Sequence, residues 1–181
     1  MTSTQPLSPQ TVVGVIGAGA MGAGIAQVAA AAGHPVKLFD TRADAAAQAI
    51  AGLRAQFDKL AAKGKLTAEA AQAAGERLVA VAQLADLADA GLVVEAIVES
   101  LPAKQGLYAE LENIVAADCI FGTNTSSISV TAIGAALQRP EIQVRPQYER
   151  AAALGVTSEA LGEAVRMATY GDYDTALPKL N

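Results

Sequence analysis

Three glycines near the amino terminus have a spacing that suits the binding of a pyrophosphate. Gly17, Gly19 and Gly22 form the pattern G-x-G-x-x-G within "VIGAGAMGAG". In such a turn the first glycine permits a tight bend, the second lets the backbone approach the pyrophosphate, and the third lets a helix pack closely on a strand. The N–H groups at the start of that helix, beginning with Ala20 and Met21, would face the phosphates.

The segments around these glycines complete a dinucleotide-binding fingerprint. The β-branched run 12–16 predicts a buried strand, a helix is expected over 20–32 with Gly33 after it, and "PVKLFD" predicts a second strand. Asp40 ends that strand, 18 residues after Gly22 (40 − 22 = 18). A carboxylate there accepts hydrogen bonds from the adenosine ribose of NAD but repels the 2′-phosphate of NADP. The sequence therefore predicts NAD as the cofactor.

Two residues close to this unit have alternative interpretations. Arg42 could soften the repulsion between Asp40 and a phosphate, but a solvated residue in the first turn of the next helix is the favoured interpretation. His34 is the only histidine of the chain. It follows a helix, so we expect it to interact with that helix's C-terminal carbonyl groups rather than to do chemistry.

The chain continues with alternating helices and strands. Apolar residues at helical spacing predict a long helix over 42–63, and Thr67 is the expected N-cap of a shorter one. Strands are predicted in "RLVAVA", "GLVVEAIV" and "CIFGT", and helices in "LADLADA", "LPAKQGLYAELENIVA" and "SVTAIGAAL". Alternation with short connections predicts an α/β fold with a Rossmann-like, doubly wound parallel sheet.

Composition restricts the class of protein. Apolar residues make up 52% of the 181 residues and charged residues 17%, which favours a globular domain over disorder. The net charge of -5 argues against nucleic acid or an anionic membrane as a partner. The single cysteine, Cys119, lies in an apolar run that favours a buried structural thiol, and no metal ligands are assigned. Neither a signal peptide nor a membrane span is recognised, so a cytoplasmic protein is expected.

Three segments, in order and at the usual spacing, resemble the NAD-binding domain of 3-hydroxyacyl-CoA dehydrogenases, most closely the 3-hydroxybutyryl-CoA type. They are "GVIGAGAMGAGIAQVAAAAGH", "LVVEAIVESLPAKQGLYAELE" and "FGTNTSSISVTAIG". The resemblance covers about residues 11–141, after a polar leader at 1–10. It implies NAD-dependent oxidation of a 3-hydroxyacyl-CoA to the 3-ketoacyl-CoA, a reaction of fatty acid metabolism, with an acyl-CoA as substrate.

The resemblance also implies roles for individual residues. Glu99 and Lys104 would line the nicotinamide-ribose side of the site. Ser126 would lie beside the nicotinamide and the substrate oxygen, as the catalytic-site residue of this segment, and Asn124 would shape the same loop. From the residues alone, the first two are equally an exposed polar pair at a helix start, and "TNTSS" is equally simple turn chemistry.

The expected contacts with coenzyme A are less complete. The resemblance implies that Lys63 faces the CoA moiety, where a cation beside phosphate is favourable. On the sequence alone Lys63 is a solvated lysine. The family's CoA-contacting serine aligns near Gln56, so that contact is not expected here.

This sequence lacks one residue that the chemistry of the family requires. In the family a histidine in a "G-x-H-F-F-N-P" segment takes the proton of the 3-hydroxyl, and this chain reads "RPEIQVRPQYER" at that place. The family's helical C-terminal domain is not recognised either, which gives a truncated form. Three hypotheses follow: an NAD-dependent dehydrogenase that oxidises a 3-hydroxyacyl-CoA, a non-catalytic NAD-binding module, or a chimeric reading frame without a selected function. We expect NAD binding without measurable dehydrogenase activity.

The last forty residues, 142–181, differ in character from the rest. Through "VRPQYERAAALGVT" they resemble a strand-helix segment of the periplasmic porter region of resistance-nodulation-division efflux pumps. A strand is predicted at 142–145, a helix at 147–154 and another after 157. The alternative is a divergent appendage that covers the last sheet edge.

Overall fold

The computed structural model describes residues 7–135 and residue 137. The predicted strand and helices of the tail, and the domain boundary at residue 141, lie outside these residues. The elements that it describes follow in chain order. They are β1 (Val12–Ile16), α1 (Ala20–Ala31), β2 (Val36–Phe39), α2 (Ala45–Ala62), α3 (Ala68–Glu76), β3 (Leu78–Ala80), a 3-10 helix (Leu84–Leu87), β4 (Ala90–Glu95), α4 (Leu101–Leu111), β5 (Ile120–Thr123) and α5 (Val130–Gly134).

Five strands form one parallel sheet in the order β3-β2-β1-β4-β5. The central strand is β1, in which Val15 stands beside Leu38 of β2 on one side and Val94 of β4 on the other. From β1 the chain adds β2 and β3 on one side, and it then returns to add β4 and β5 on the other side of β1. This order confirms the predicted Rossmann-like, doubly wound sheet. The carboxyl ends of β1, β2 and β4 meet where the direction changes, which is where ligands of such sheets bind.

Helices cover both faces of the sheet and form two apolar layers. Val15 and Leu38 belong to the layer that holds α1, α2 and α3. Ile16 and Phe39, the next residues of the same strands, belong to the layer that holds α4 and the 3-10 helix. Neighbouring residues of a strand enter opposite layers because successive side chains point to opposite faces of a sheet. Both faces are therefore buried, as the apolar strand sequences indicate.

The turn between β1 and α1 brings three backbone segments into direct contact. Gly17 has φ +101°, a left-handed conformation that favours glycine. A Cβ on Gly22 would lie 1.7 Å from the carbonyl oxygen of Gly17, and a Cβ on Gly17 would lie 2.5 Å from that of Ala96. The first turn of α1 therefore rests on the ends of β1 and β4 with no room for a side chain. The roles predicted for the first and third glycines agree with this geometry.

The start of the long helix and the end of the helix that contains Lys104 differ from their predicted positions. The long helix begins at Ala45 and not at 42, because Asp44 has φ 61° and because residues 40–42 fold around the Asp40 side chain. The helix that contains Lys104 ends at Leu111, five residues before the predicted end, because the next residues form tighter turns with bonds such as Asn113 N to Glu110 O. Thr67 caps α3 as predicted, accepting from Ala70 N at 3.1 Å.

Cys119 and the alanines Ala26 and Ala30 of α1 are buried in the structure. Cys119 is 5% exposed and packs in the same layer as α4, so the buried thiol is confirmed. Within the described ranges, none of the helices is both long enough and apolar enough to cross a membrane. Ala26 and Ala30 of α1 are completely buried. Small side chains thus let this helix lie close to the sheet.

The close approach at Gly22 makes a prediction about stability. Gly22→Ala is expected to lower the free energy of unfolding by roughly 1–3 kcal/mol or more, since the added methyl group overlaps a backbone oxygen. Gly24→Ala is the matched control, because a Cβ at this position in the same helix meets nothing within 4 Å. It should be neutral or stabilising by up to about 1 kcal/mol, because alanine favours helix. Urea unfolding measures both changes, and equal midpoints for the two variants would contradict the close approach.

Candidate active site

The glycine turn presents an open side to solvent at the carboxyl end of β1. Gly19 is the N-cap of α1, and a Cβ there would meet nothing within 4 Å. The first N–H groups of a helix have no partner within the helix, and Gly19 has no side chain to bond them. The N–H groups of Ala20 and Met21 therefore remain for an anion, which the positive end of the helix dipole also favours. The open space above Gly19 fits the pyrophosphate of a dinucleotide.

Asp40 is fixed beside this turn at the end of β2. Its Oδ2 accepts a hydrogen bond from Ala18 N at 2.7 Å, and its Oδ1 accepts one from Arg42 N at 2.8 Å. The Arg42 side chain, the largest influence, and these two backbone N–H groups lower the pKa of the Asp40 carboxyl far below its ordinary value, although burial opposes them. The carboxylate is therefore ionised at neutral pH.

Arg42 is paired with Asp40, which the sequence analysis does not favour. The guanidinium donates from Nε to Oδ1 and from Nη2 to Oδ2, each at 3.0 Å. The side chain of Arg42 is 69% exposed, so it is solvated as predicted, but it also pairs with Asp40. The pairing arises because the turn after β2 directs both side chains to the same side, which the order of residues alone does not reveal.

Glu99 organises the loop that follows β5. Its Oε1 accepts from Thr125 Oγ1 at 2.5 Å, from Ser126 N and Ser127 N at 3.1 Å each, and from Ser127 Oγ at 3.0 Å. Partial burial opposes ionisation, but the hydrogen bonds from Thr125, Ser127 and Ser126 outweigh it and lower the pKa of Glu99 to about 2. One ionised carboxylate on the loop after β4 thus holds the neighbouring loop in place.

Lys104 lies beneath Glu99 and not at the surface. Its Nζ is 2.8 Å and 2.9 Å from the two carboxylate oxygens of Glu95, and 3.4 Å from Oε2 of Glu99. Both side chains of the Glu95–Lys104 pair are 0% exposed. The alternative of an exposed polar pair is therefore wrong for Lys104. Glu95 also accepts from Ile97 N at 3.1 Å and from the hydroxyl of Thr123, so the pair joins β4, α4 and β5.

Comparison with known proteins identifies the family. Residues 12–145 match the model of the "3-hydroxyacyl-CoA dehydrogenase, NAD binding domain". The chain belongs to the 3-hydroxyacyl-CoA dehydrogenase family. The cofactor is accordingly NAD, as Asp40 predicts, and the segment 11–141 that resembles the family in sequence corresponds to the matched range.

Two curated members of the family show how much of such proteins the chain represents. It is 46% identical over 129 residues to 3-hydroxyadipyl-CoA dehydrogenase of Escherichia coli, covering 71% of this chain and 27% of that one. It is 42% identical over 137 residues to the human mitochondrial hydroxyacyl-coenzyme A dehydrogenase, covering 71% and 43%. The chain therefore spans less than half the length of these relatives.

Solved structures of the family share this fold. The crystal structure of 3-hydroxybutyryl-CoA dehydrogenase from Escherichia coli superposes with a TM-score of 0.71 at 47% identity, over 75% of this chain and 28% of that one. The (S)-3-hydroxybutyryl-CoA dehydrogenase from Ralstonia eutropha gives a TM-score of 0.67 at 34% identity, over 72% and 46%. The Rossmann-like fold of the chain is thus that of 3-hydroxyacyl-CoA dehydrogenases.

The structure brings most of the predicted site residues to one edge of the sheet. The glycine turn, Asp40, Glu99 and Ser126 all follow the carboxyl end of a strand, and Ser126 is exposed. The Oδ1 atom of Asn124 is buried and has no hydrogen-bond partner among the described residues. Lys63 lies elsewhere, exposed at the C-cap of α2.

His34 lies at the opposite edge of the sheet. Its Nδ1 is 3.2 Å from the carbonyl oxygen of Thr11, just before β1, and its backbone N–H bonds Ala29 O. The expected contact with the preceding helix is therefore made by the backbone, while the imidazole bonds another segment. Thr11 precedes β1 and Gly17 follows it, and the five residues of that strand span roughly 17 Å at about 3.3 Å per residue. The imidazole and the glycine turn therefore lie at opposite ends of β1.

Glu95 is the functional residue that the sequence analysis misses. A glutamate inside the apolar run "LVVEAIV" is the signal that could have revealed it, since a charge in a buried strand requires a partner. Thr125 is missed for a different reason. Its hydroxyl appears as ordinary turn chemistry until the tertiary structure places it against Glu99.

The buried Glu95–Lys104 pair gives a test of stability. Lys104→Met should lower the free energy of unfolding by about 3–5 kcal/mol, because it leaves the Glu95 carboxylate buried without its cation. Glu95→Gln combined with Lys104→Met removes both charges, so it should be less destabilised than Lys104→Met alone. Chemical unfolding of the two variants checks this order. A double variant that is less stable than Lys104→Met would contradict the ion-pair assignment.

The Glu99 cluster makes a prediction about pH. A carboxyl whose pKa falls from 4.5 to about 2 on folding stabilises the folded state above its unfolded pKa. This contribution should be about 1 kcal/mol, allowing for solvent screening of a side chain that is 35% exposed. The difference in unfolding free energy between wild type and Glu99→Gln should be greatest above pH 4.5 and shrink toward pH 2. Denaturant titrations at several pH values measure it, and a pH-independent difference would contradict the cluster.

Proposed function

We propose that the chain binds NAD across the carboxyl edge of the sheet. The pyrophosphate lies on Gly17, Gly19 and Gly22, the adenosine ribose at Asp40, and the nicotinamide ribose near Glu99. The observation that carries this proposal is the hydrogen bond from Ala18 N to Asp40, which joins the glycine turn to an ionised carboxylate at the adjacent strand end. An anion site and a ribose acceptor are thereby held at a fixed separation, as a dinucleotide requires.

Lys104 supports the nicotinamide side of this proposed site indirectly. Because its side chain is completely buried, it acts through Glu99, 3.4 Å from its Nζ, rather than by contact with the ribose. Glu99 in turn fixes the backbone of Ser126. Ser126 is exposed at the carboxyl edge, where the resemblance places the nicotinamide and the substrate oxygen.

For the substrate, the relatives' names favour a 3-hydroxyacyl-CoA. Those relatives are named as dehydrogenases of 3-hydroxyadipyl-CoA and 3-hydroxybutyryl-CoA. Bound NAD would accept the hydride in such an oxidation, and the chain would orient it through the two loops joined by Glu99. Lys63, exposed at the end of α2, is available to a CoA phosphate.

The segment 139–150, where the resemblance expects the histidine that acts as general base, contains no histidine. The one histidine, His34, bonds Thr11 at the far edge of the sheet. Loss of a positioned base typically reduces the rate by roughly 10²- to 10⁴-fold. We therefore propose that the chain by itself binds NAD without measurable turnover. This observation favours a non-catalytic NAD-binding module, the second hypothesis, over an active dehydrogenase. The chimeric reading frame and the efflux-pump resemblance of residues 142–181 remain predictions.

Titration calorimetry of the whole 181-residue chain with NAD⁺ tests the proposal. Wild type and Gly24→Ala should bind saturably. Asp40→Ala should bind at least about tenfold more weakly, because a hydrogen bond to a charged group is lost. Gly19→Val should abolish binding, since its side chain enters the open space above the turn. A folded wild-type chain that does not bind NAD⁺ would refute the proposal.

An assay of NADH formation with a short 3-hydroxyacyl-CoA tests the second half of the proposal. No turnover is expected from wild type at saturating NAD⁺. Steady turnover that persists in His34→Gln would overturn it and would show that another group serves as base. Turnover lost in His34→Gln would overturn both the proposal and the assignment of His34 as structural.

A further inference from the structure

The acceptor capacity of Asp40 is completely used in the structure. Four hydrogen bonds reach its two oxygens: Oδ1 accepts from the backbone N and the Nε of Arg42, and Oδ2 accepts from Ala18 N and from Arg42 Nη2. An ionised carboxylate has about four acceptor positions. A ribose hydroxyl therefore has no position on Asp40 in this arrangement.

The four donors differ in how readily they can leave. Two of the donors, Ala18 N and Arg42 N, belong to the backbone of the glycine turn and of the turn after β2. Releasing them would require both turns to change conformation. The other two belong to the guanidinium of Arg42, a side chain that is 69% exposed. Only the guanidinium can be displaced by a local rotation of a side chain. Its departure frees one position on each oxygen of Asp40.

These two positions correspond in number to the two hydroxyls of a ribose. We propose that the Arg42 side chain occupies the ribose-binding face of Asp40 in the free protein and competes with the adenosine ribose of the cofactor. This inference rests on the proposed binding of the ribose at Asp40. Binding then exchanges two guanidinium bonds for two hydroxyl bonds, while the two backbone bonds keep Asp40 in place. Arg42 thus sets the affinity for the cofactor by opposing it.

The size of the opposition follows from the exposure of the guanidinium, since the Arg42 side chain is 69% exposed and the Asp40 side chain 8%. Ion pairs with an exposed partner are weak, so removal of the guanidinium should tighten the dissociation constant for NAD⁺ by roughly 2- to 5-fold. Salt screens an exposed pair, so this ratio should approach one as the salt concentration rises. A residue that merely attracted the anionic cofactor would show the opposite sign, since its removal would weaken binding.

The experiment compares Arg42→Gln, Arg42→Lys and Lys59→Gln with wild type by titration calorimetry with NAD⁺ at low and high salt. Lys59→Gln removes an exposed cation in α2 that touches none of these groups, and it should leave the affinity unchanged. Arg42→Gln should bind more tightly at low salt, with the gain reduced at high salt. Arg42→Lys keeps the charge but loses the planar fork that pairs with both oxygens, so it should also bind more tightly.

The outcomes separate this inference from the proposed function. Wild type that binds NAD⁺ with an affinity equal to or higher than that of Arg42→Gln overturns the competition alone. Arg42→Gln that binds NAD⁺ more tightly than wild type at low salt supports it. Failure of wild type and of both Arg42 variants to bind, with all of them folded by circular dichroism, overturns the proposed function and the inference with it.

Discussion

The close contact of three backbone segments at Gly17, Gly22 and Ala96 is the constraint on which the rest of the structure depends. The carbonyl oxygen of Gly17 occupies the space that a side chain on Gly22 would need, and that of Ala96 limits Gly17 in the same way. The first turn of α1 is therefore pressed onto the ends of β1 and β4. This contact aims the start of the helix at the edge of the sheet, and it positions Ala18 N to reach Asp40. Without it, the anion site and the ribose acceptor would have no fixed relation.

The same edge of the sheet holds two carboxylates, Asp40 and Glu99, that are kept ionised by different means. Asp40 is surrounded by backbone N–H groups and one exposed guanidinium, so part of its environment can be exchanged. Glu99 is held by hydroxyl and N–H groups of the loop after β5 and lies above the buried Lys104. Its environment is fixed by residues in the core. Asp40 is therefore suited to exchange partners, whereas Glu99 is suited to hold a loop. The difference arises because an exposed guanidinium lies beside Asp40 and the buried Lys104 lies beneath Glu99.

The Glu95–Lys104 pair connects Glu99 to the core, because Lys104 contacts both carboxylates. A buried ion pair contributes little net stability because desolvation offsets the attraction, but removing one partner is costly. Such a pair therefore enforces a geometry more than it stabilises a fold. Here it links β4, α4 and β5 directly below the loops of the site. His34, by contrast, serves the amino-terminal edge, where it joins the start of β2 to Thr11. The proposed cofactor contacts and the only histidine of the sequence are thus divided between opposite edges of the sheet.

The sequence by itself determined the features that depend on neighbours along the chain. The spacing of Gly17, Gly19 and Gly22, the apolar strands and the position of Asp40 at a strand end together predict the fold, the turn and the cofactor. Only the tertiary structure decided what depends on distant segments. It placed Glu99 against residues 26 to 28 positions away, buried Lys104 on Glu95, and sent His34 to Thr11. The physical reason is that strand order, β3-β2-β1-β4-β5, sets which loops are neighbours. The pairing of Arg42 with Asp40 is local in sequence, yet it required the backbone of the turn after β2, because side-chain direction follows from dihedral angles that the residue types do not fix.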